Sequence, residues 1–193
     1  FSIHNDFYLF HTKSCKIKRL TFDAQRKDCP QFSPDESSIA YVEANNLWML
    51  DIKSVRTYPL THDGHSSVMN GKLDWVYQEE IFGRGRYHGY WWSPDSRSLV
   101  FLRFDESQVE NVSIIDHTDM GAKIVTYPYP RPGGVNPKVT VGHVYRSGGP
   151  IRWLPLGSYK REDYLVVGLS FTPDSKSIMY QIEDRKQSWL DLN

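Results

Sequence analysis

Glu79 and Glu80 are adjacent, and Trp75, Tyr77 and Phe82 lie close to them in the chain. Two carboxylates held together raise each other's cost of ionisation, and a cation set between them relieves it. A primary ammonium suits that place because it carries three donors and no acceptor. Aromatic neighbours lower the local dielectric and strengthen the attraction. The same pair also reads as a solvated helix face, since glutamates are mostly exposed. The residues by themselves leave both readings open.

Other groups offer less. His62 and His65 flank Asp63-Gly64, a spacing that can hold a metal. Asp-Gly is also a strong turn signal, and with no further ligands nearby a turn is expected. The stretch GRGRYHG, Gly83 to Gly89, contains Gly-x-Gly without a βαβ context, which argues against a phosphate loop. Its Arg84 and Arg86 read as ion-pair partners for nearby acids, and Tyr87, Trp91 and Trp92 as pocket-lining or core rings. Cys15 and Cys29 are the only cysteines; two buried free thiols are the expectation, with pairing left open. No Gly-x-Ser-x-Gly elbow occurs, since GLSFT fails at its last position, and none of the seven histidines has a triad context. No catalytic residue, metal or cofactor is expected in this chain.

The elements that must position the pair follow from a repeat. QFSPDESSIAYV, WWSPDSRSLVFL and SFTPDSKSIMYQ share one template: an aromatic, Ser or Thr, Pro-Asp, two polar residues, Ser, then apolar-apolar-aromatic. This is hairpin chemistry. Ser or Thr begins the turn, Pro presets φ, and Asp bonds back to the backbone, while the flanking β-branched and aromatic residues suit strands. Further strand-like runs are NNLWMLDI and VRTYPLT, with FYLFHT and KIKRLT as the tail of an earlier unit. A hairpin-led unit recurring along a chain is the signature of a β-propeller. The Pro-Asp turns lie 60 and 79 residues apart, from Pro34 to Pro94 to Pro173. A simple blade takes about 40–50, so segments are inserted. In the first gap, LDWVYQEEIFG breaks the period of a strand; Asp74 can cap a short helix that Gly83 ends. Neighbours on a helical turn diverge by only ~100°, so both carboxylates can reach one ligand. The expected fold is all-β: a partial β-propeller of about three blades of a larger ring, taken as eight-bladed, with a short helical insertion carrying the double Glu. Residues 1–193 form part of that domain.

DWVYQEEIF followed by YWWSPD, and further on YPYPRPGGVNPKV, together resemble the N-terminal propeller of dipeptidyl peptidase IV-like serine exopeptidases. The clear motifs run from about Leu47 to Tyr145. The resemblance implies that Glu79 and Glu80 grip the free α-amino group of a short peptide, so that cleavage falls two residues in. Gln78 stands where some members have a third Glu. The resemblance also implies a C-terminal α/β-hydrolase domain, absent from this chain, which leaves the fragment inactive by itself. A carbonyl-binding Arg is expected upstream of Phe1. An arm near Val109 to Tyr127 is implied as a possible homodimer contact, with a plain surface loop as the equal alternative, and an extracytoplasmic location is favoured. The alternative from another class is a non-catalytic propeller acting as a protein-interaction scaffold.

Bulk composition sets limits. Lys plus Arg equals Asp plus Glu at 23 each, so no overall field recruits nucleic acid. No apolar run approaches the ~20 residues of a membrane helix. The chain opens on Phe1 rather than Met and reads as a fragment or a processed form. Asn111-Val112-Ser113 is a glycosylation sequon, meaningful only in a eukaryotic secretory setting.

Overall fold

A computed structural model describes residues 1–118, 120–156, 159 and 163–193. The described residues form four successive antiparallel sheets. The first joins β1 (Ser2–Ile3), β2 (Asp6–His11) and β3 (Lys16–Arg19). The second is a four-stranded meander of β4 (Lys27–Phe32), β5 (Ser38–Glu43), β6 (Asn46–Asp51) and β7 (Arg56–Pro59). The third contains β8 (Val68–Asn70), β9 (Tyr90–Trp92), β10 (Ser98–Asp105), β13 (Lys138–Tyr145) and β14 (Arg152–Trp153). Between β10 and β13, β11 (Asn111–Asp116) and β12 (Lys123–Pro128) form a separate two-stranded hairpin. The last sheet is β15 (Tyr164–Phe171), β16 (Ile178–Asp184) and β17 (Leu190–Leu192). This is a partial β-propeller: two complete blades flanked by two three-stranded ones.

The core lies between the sheets, and the period of 2 in each central strand explains it. On β5, Ile39 and Tyr41 join Phe7 and Leu20 of the preceding blade. Their neighbours Ala40 and Val42 join Tyr90, Leu99 and Phe101 of the following one. On β10, Val100, Leu102 and Phe104 pack forward against Leu165, Val166 and Ile182. Strands covered on both faces need the continuous apolar runs that β5 and β10 carry, and burying one Leu, Val or Phe side chain contributes about 1.5–3 kcal/mol.

The three Pro-Asp turns are chemically alike. Ser33, Ser93 and Thr172 each donate a hydroxyl hydrogen bond of 2.6 Å to the Asp two residues on. That Asp accepts the amide of Ser37, Arg97 or Lys176 at 3.1 Å. Glu36, Ser96 and Ser175 take left-handed φ of 57°, 63° and 62°. The same position also joins blades. The Asp35 amide donates to Ser96 Oγ at 2.9 Å, and the Asp95 amide donates to Ser175 Oγ at 3.0 Å.

Two expectations are settled here. Cys15 and Cys29 are free thiols, the first exposed and the second half-buried. The His62–His65 segment holds no turn at Asp63-Gly64; the tight turn falls at Ser66-Ser67, where His65 bridges Val68. The reason is a close approach: a Cβ on Gly64 would lie 2.3 Å from the Asn45 carbonyl oxygen. Asp63 is occupied by Arg103 Nε at 2.7 Å and Asn70 Nδ2 at 2.9 Å.

Candidate ligand-binding site

The insertion that carries the double Glu does not lie between blades. It splits a strand. β8 pairs with Arg103–Asp105 of β10, and β9 pairs with Leu99–Phe101 of the same strand. Between them Leu102 closes the neck: the Gly71 amide donates to the Leu102 carbonyl at 2.9 Å, and the Leu102 amide donates to Gly89 at 2.8 Å. The Gly89 amide in turn reaches the Gly71 carbonyl at 3.0 Å. Glycine is needed at both necks. Gly71 has φ of 75°, and a Cβ on Gly89 would lie 3.2 Å from the Gly71 backbone.

Inside the neck the chain turns into a helix as the sequence predicts. Asp74 accepts the amides of Val76 at 3.1 Å and Tyr77 at 3.0 Å, which satisfies two of the orphan donors of a helix start. Gly83, with φ of 95°, follows its end. The turn differs from an ordinary α-helix, because Tyr77–Ile81 is a π-helix. The Phe82 amide donates to the Tyr77 carbonyl five residues back, at 2.8 Å. That spacing stacks the rings of Tyr77 and Phe82 with centroids 6.3 Å apart.

Glu79 and Glu80 ride on the outer side of this turn. The Glu79 side chain is 22% exposed and accepts Arg84 Nε at 2.9 Å, while Arg84 itself is 87% exposed. Glu80 is exposed, and among the described residues its carboxylate makes no hydrogen bond or ion pair. One oxygen of Glu79 and both of Glu80 are thus open to a ligand. The expectation that Arg84 pairs with a neighbouring acid holds, whereas Arg86, expected to do the same, forms no ion pair among the described residues. Gln78, on the inward side, lines a different space.

That space is a cleft of about 480 Å³ at the foot of the insertion, lined among others by Lys72, Asp74, Trp75, Gln78, Glu106 and Tyr127. Trp75 meets Tyr129 with ring centroids 4.4 Å apart. Burial pushes the Asp74 carboxyl up to about 6. Burial, followed by the nearby Asp74 charge, pushes Glu106 up to about 7. A second cleft of about 490 Å³ behind the Gly83–Gly85 loop takes in Phe82, Tyr87, His88 and Trp91. Burial lowers His88 to about 4, so that ring is neutral near pH 7. Trp92 is instead a core ring between blades.

Sequence reasoning missed Glu106, whose pattern DES reads as an ordinary strand end, and the role of Tyr77. The Tyr77 hydroxyl accepts the amide of Val166, 89 residues away, at 2.9 Å. No local signal announces a contact of that span.

A family model described as the Dipeptidyl peptidase IV (DPP IV) N-terminal region matches residues 1–193. The chain is 32% identical over 175 residues to a probable dipeptidyl peptidase 4 of Aspergillus clavatus, covering 87% of this chain and 22% of the relative. It is 30% identical over 164 residues to dipeptidyl aminopeptidase A of Saccharomyces cerevisiae, covering 83% and 17% respectively. In three dimensions it is similar to the crystal structure of Porphyromonas gingivalis dipeptidyl peptidase 4. The TM-score is 0.84 at 26% identity, covering 96% of this chain and 26% of that one. The chain therefore spans about a fifth of the length of the curated relatives it matches.

Proposed function

The chain belongs to the dipeptidyl peptidase IV N-terminal family, and we propose that within it Glu79 and Glu80 hold the protonated amino terminus of a short peptide. The complete protein, in this reading, removes N-terminal dipeptides, with hydrolysis performed by an α/β-hydrolase domain elsewhere in the polypeptide. The propeller portion admits the peptide and fixes its end.

The observation that carries the reading is the mount of the two carboxylates. They sit two and three residues past Tyr77, on a helix held at its neck, its cap and its buried ring. Their oxygens are left open apart from one contact with Arg84. An ion pair to so exposed a guanidinium is weak, so an arriving ammonium can share Glu79 with Arg84 or displace it. An acetylated terminus has no charge to offer, and the pair then rejects it by lacking compensation. In this reading the pair acts as a gauge for the amino end of the substrate.

The β11–β12 hairpin supplies a second partner surface. Ile114, Ile115, Ile124 and Val125 are exposed on it, at facing register positions. Side chains of that kind favour cover by a second copy of the protein. Asp119, which falls within the Val109–Tyr127 stretch of the sequence, lies outside the described residues.

The test of the main reading uses the complete enzyme with Glu79→Ala and Glu80→Ala. A hydrogen bond to a charged group is worth about 1.5–3 kcal/mol, so each change lowers kcat/KM on a free-amino substrate by roughly 10- to 100-fold. A des-amino analogue should lose far less. Unchanged kinetics in both variants would remove the assignment.

A further inference from the structure

We propose that Tyr77 is a positioning residue for the double Glu: its hydroxyl, by accepting the Val166 amide, ties the helical insertion of one blade to the first strand of the next. The inference rests on the ammonium-binding reading of Glu79 and Glu80 and names what holds that pair in place.

The insertion has three kinds of anchor. The Asp74 cap holds the helix together but reaches only Val76 and Tyr77, which belong to the same turn. The Gly71–Gly89 neck fastens the insertion to its own blade through Leu102. Tyr77 alone among these crosses to the following blade. Its ring is 1% exposed and meets Phe104 edge-on, with centroids 4.7 Å apart. Its hydroxyl then continues to the backbone of β15.

The place it reaches is irregular. Val166 pairs with Ile182 and Gly168 pairs with Gln181, so Val167 is an extra residue in β15. A bulge of this kind re-aims the backbone locally. Beside it, Gly168 leaves room for the Gln181 side chain, whose Oε1 would lie 2.4 Å from a Cβ at that position. Val166 is fully buried, so without Tyr77 its amide faces an apolar interior with no solvent to replace the bond.

Position is transmitted over a short path. The Tyr77 carbonyl accepts the Phe82 amide and so closes the one turn that contains Glu79 and Glu80. Rotation of the carboxylates about the helix axis therefore requires the Tyr77 ring to move, and the ring is fixed by the hydroxyl at its far end. The two glutamates need this help, because among the described residues Arg84 is the only side chain that forms a hydrogen bond or ion pair with either carboxylate.

The experiment replaces Tyr77 by Phe in the complete enzyme and follows kcat and KM on a free-amino dipeptide substrate and on its des-amino analogue. The expected result is a roughly tenfold loss of kcat/KM on the free-amino substrate, carried mainly by KM, from a displaced binding group. The des-amino substrate should change by less than about twofold, so the preference between the two collapses. Exchange of the Val166 amide hydrogen should accelerate in the same variant. Phe104→Leu, which loosens the ring packing and keeps the hydroxyl, should lower stability and leave the preference intact. Equal losses on both substrates in Tyr77→Phe, or a collapse of preference in Phe104→Leu, would reduce Tyr77 to a packing residue and overturn the proposal. Glu79→Gln, measured alongside, separates the two levels. If it loses the preference and Tyr77→Phe does not, the positioning role falls and the ammonium site stands. If Glu79→Gln keeps the preference, the ammonium site itself falls.

Discussion

Gly142 on β13 lies directly opposite Phe101 on β10, and no side chain fits between them. A Cβ built at Gly142 would stand 2.5 Å and 2.6 Å from two carbons of the Phe101 ring. Ordinary carbon contacts fall near 3.5–4.0 Å, so Gly142→Ala requires the ring to retreat by about 1 Å. It has nowhere to go. Phe101 is fully buried, and Trp153, paired with Gly142 from the other neighbouring strand, meets the ring edge-on at 5.8 Å. Overpacking of this kind costs about 1–3 kcal/mol. Replacing Gly returns about 0.4–1 kcal/mol by restricting the unfolded chain. The net expectation is a loss of about 1–2 kcal/mol, against the usual rule that Gly→Ala in a strand helps. The assay is a double-mutant cycle on the propeller unfolding transition with Gly142→Ala, Phe101→Leu and the pair. Phe101→Leu makes room for the new methyl, so the double variant should be more stable than the sum of the singles by about 1 kcal/mol or more. Additive losses, or a Gly142→Ala variant as stable as the parent, would show that β13 can shift away from β10. The account of a rigid inter-blade core would then fail.

Two further outcomes follow from the same structure. Glu106 and Asp74 have folded values near 7 and 6, raised from 4.5 and 3.8. The folded state therefore holds protons that the unfolded chain releases, so this stabilisation is complete below about pH 4 and is lost as pH rises through 6 to 7. Glu106→Gln should flatten that slope and raise stability above pH 7 by about 1–3 kcal/mol; an unchanged pH profile in denaturation would contradict it. On the arm, Ile124 is 76% exposed, and Ile124→Glu should leave folding within about 0.5 kcal/mol while shifting the complete protein from the proposed dimer to a monomer in light scattering. A dimer that survives the change would place the interface elsewhere.

What could be read from the chain follows the range of the chemistry. The Pro-Asp turn is a closed local circuit of Ser or Thr, Asp and the amide two residues later, so three copies announce themselves at matched offsets. The two apolar faces of β5 and β10 are equally local, since period 2 sorts each residue to one neighbour blade or the other. Asp74 and Gly83 mark the ends of the insertion for the same reason. Which strand the insertion interrupts is another matter. Val68–Asn70 and Tyr90–Trp92 are three residues each, too short to read as halves of one strand until both are seen against β10. The misread at Asp63-Gly64 has a similar cause: Gly64 answers to a carbonyl from a different hairpin.

The split strand also bears on how a ligand site can be both open and exact. A loop grafted between blades would hang from two flexible ends. Here both ends of the insertion continue into strands paired to the same partner, and the neck closes on Leu102 and on itself. Closing the insertion at Gly71 and Gly89 leaves its backbone little freedom to lose when a ligand binds, which is the part of the binding cost that preorganisation removes. Freedom is instead kept beyond the helix, where Gly83 and Gly85 have φ of 95° and 84° with no atoms near the space a Cβ would take. Arg84 sits between these two hinges. In the proposed reading the carboxylates are thus held on a fixed turn, while Arg84, their one ion-pair partner among the described residues, sits on an open loop, so an incoming ammonium would meet a rigid acceptor and a displaceable competitor.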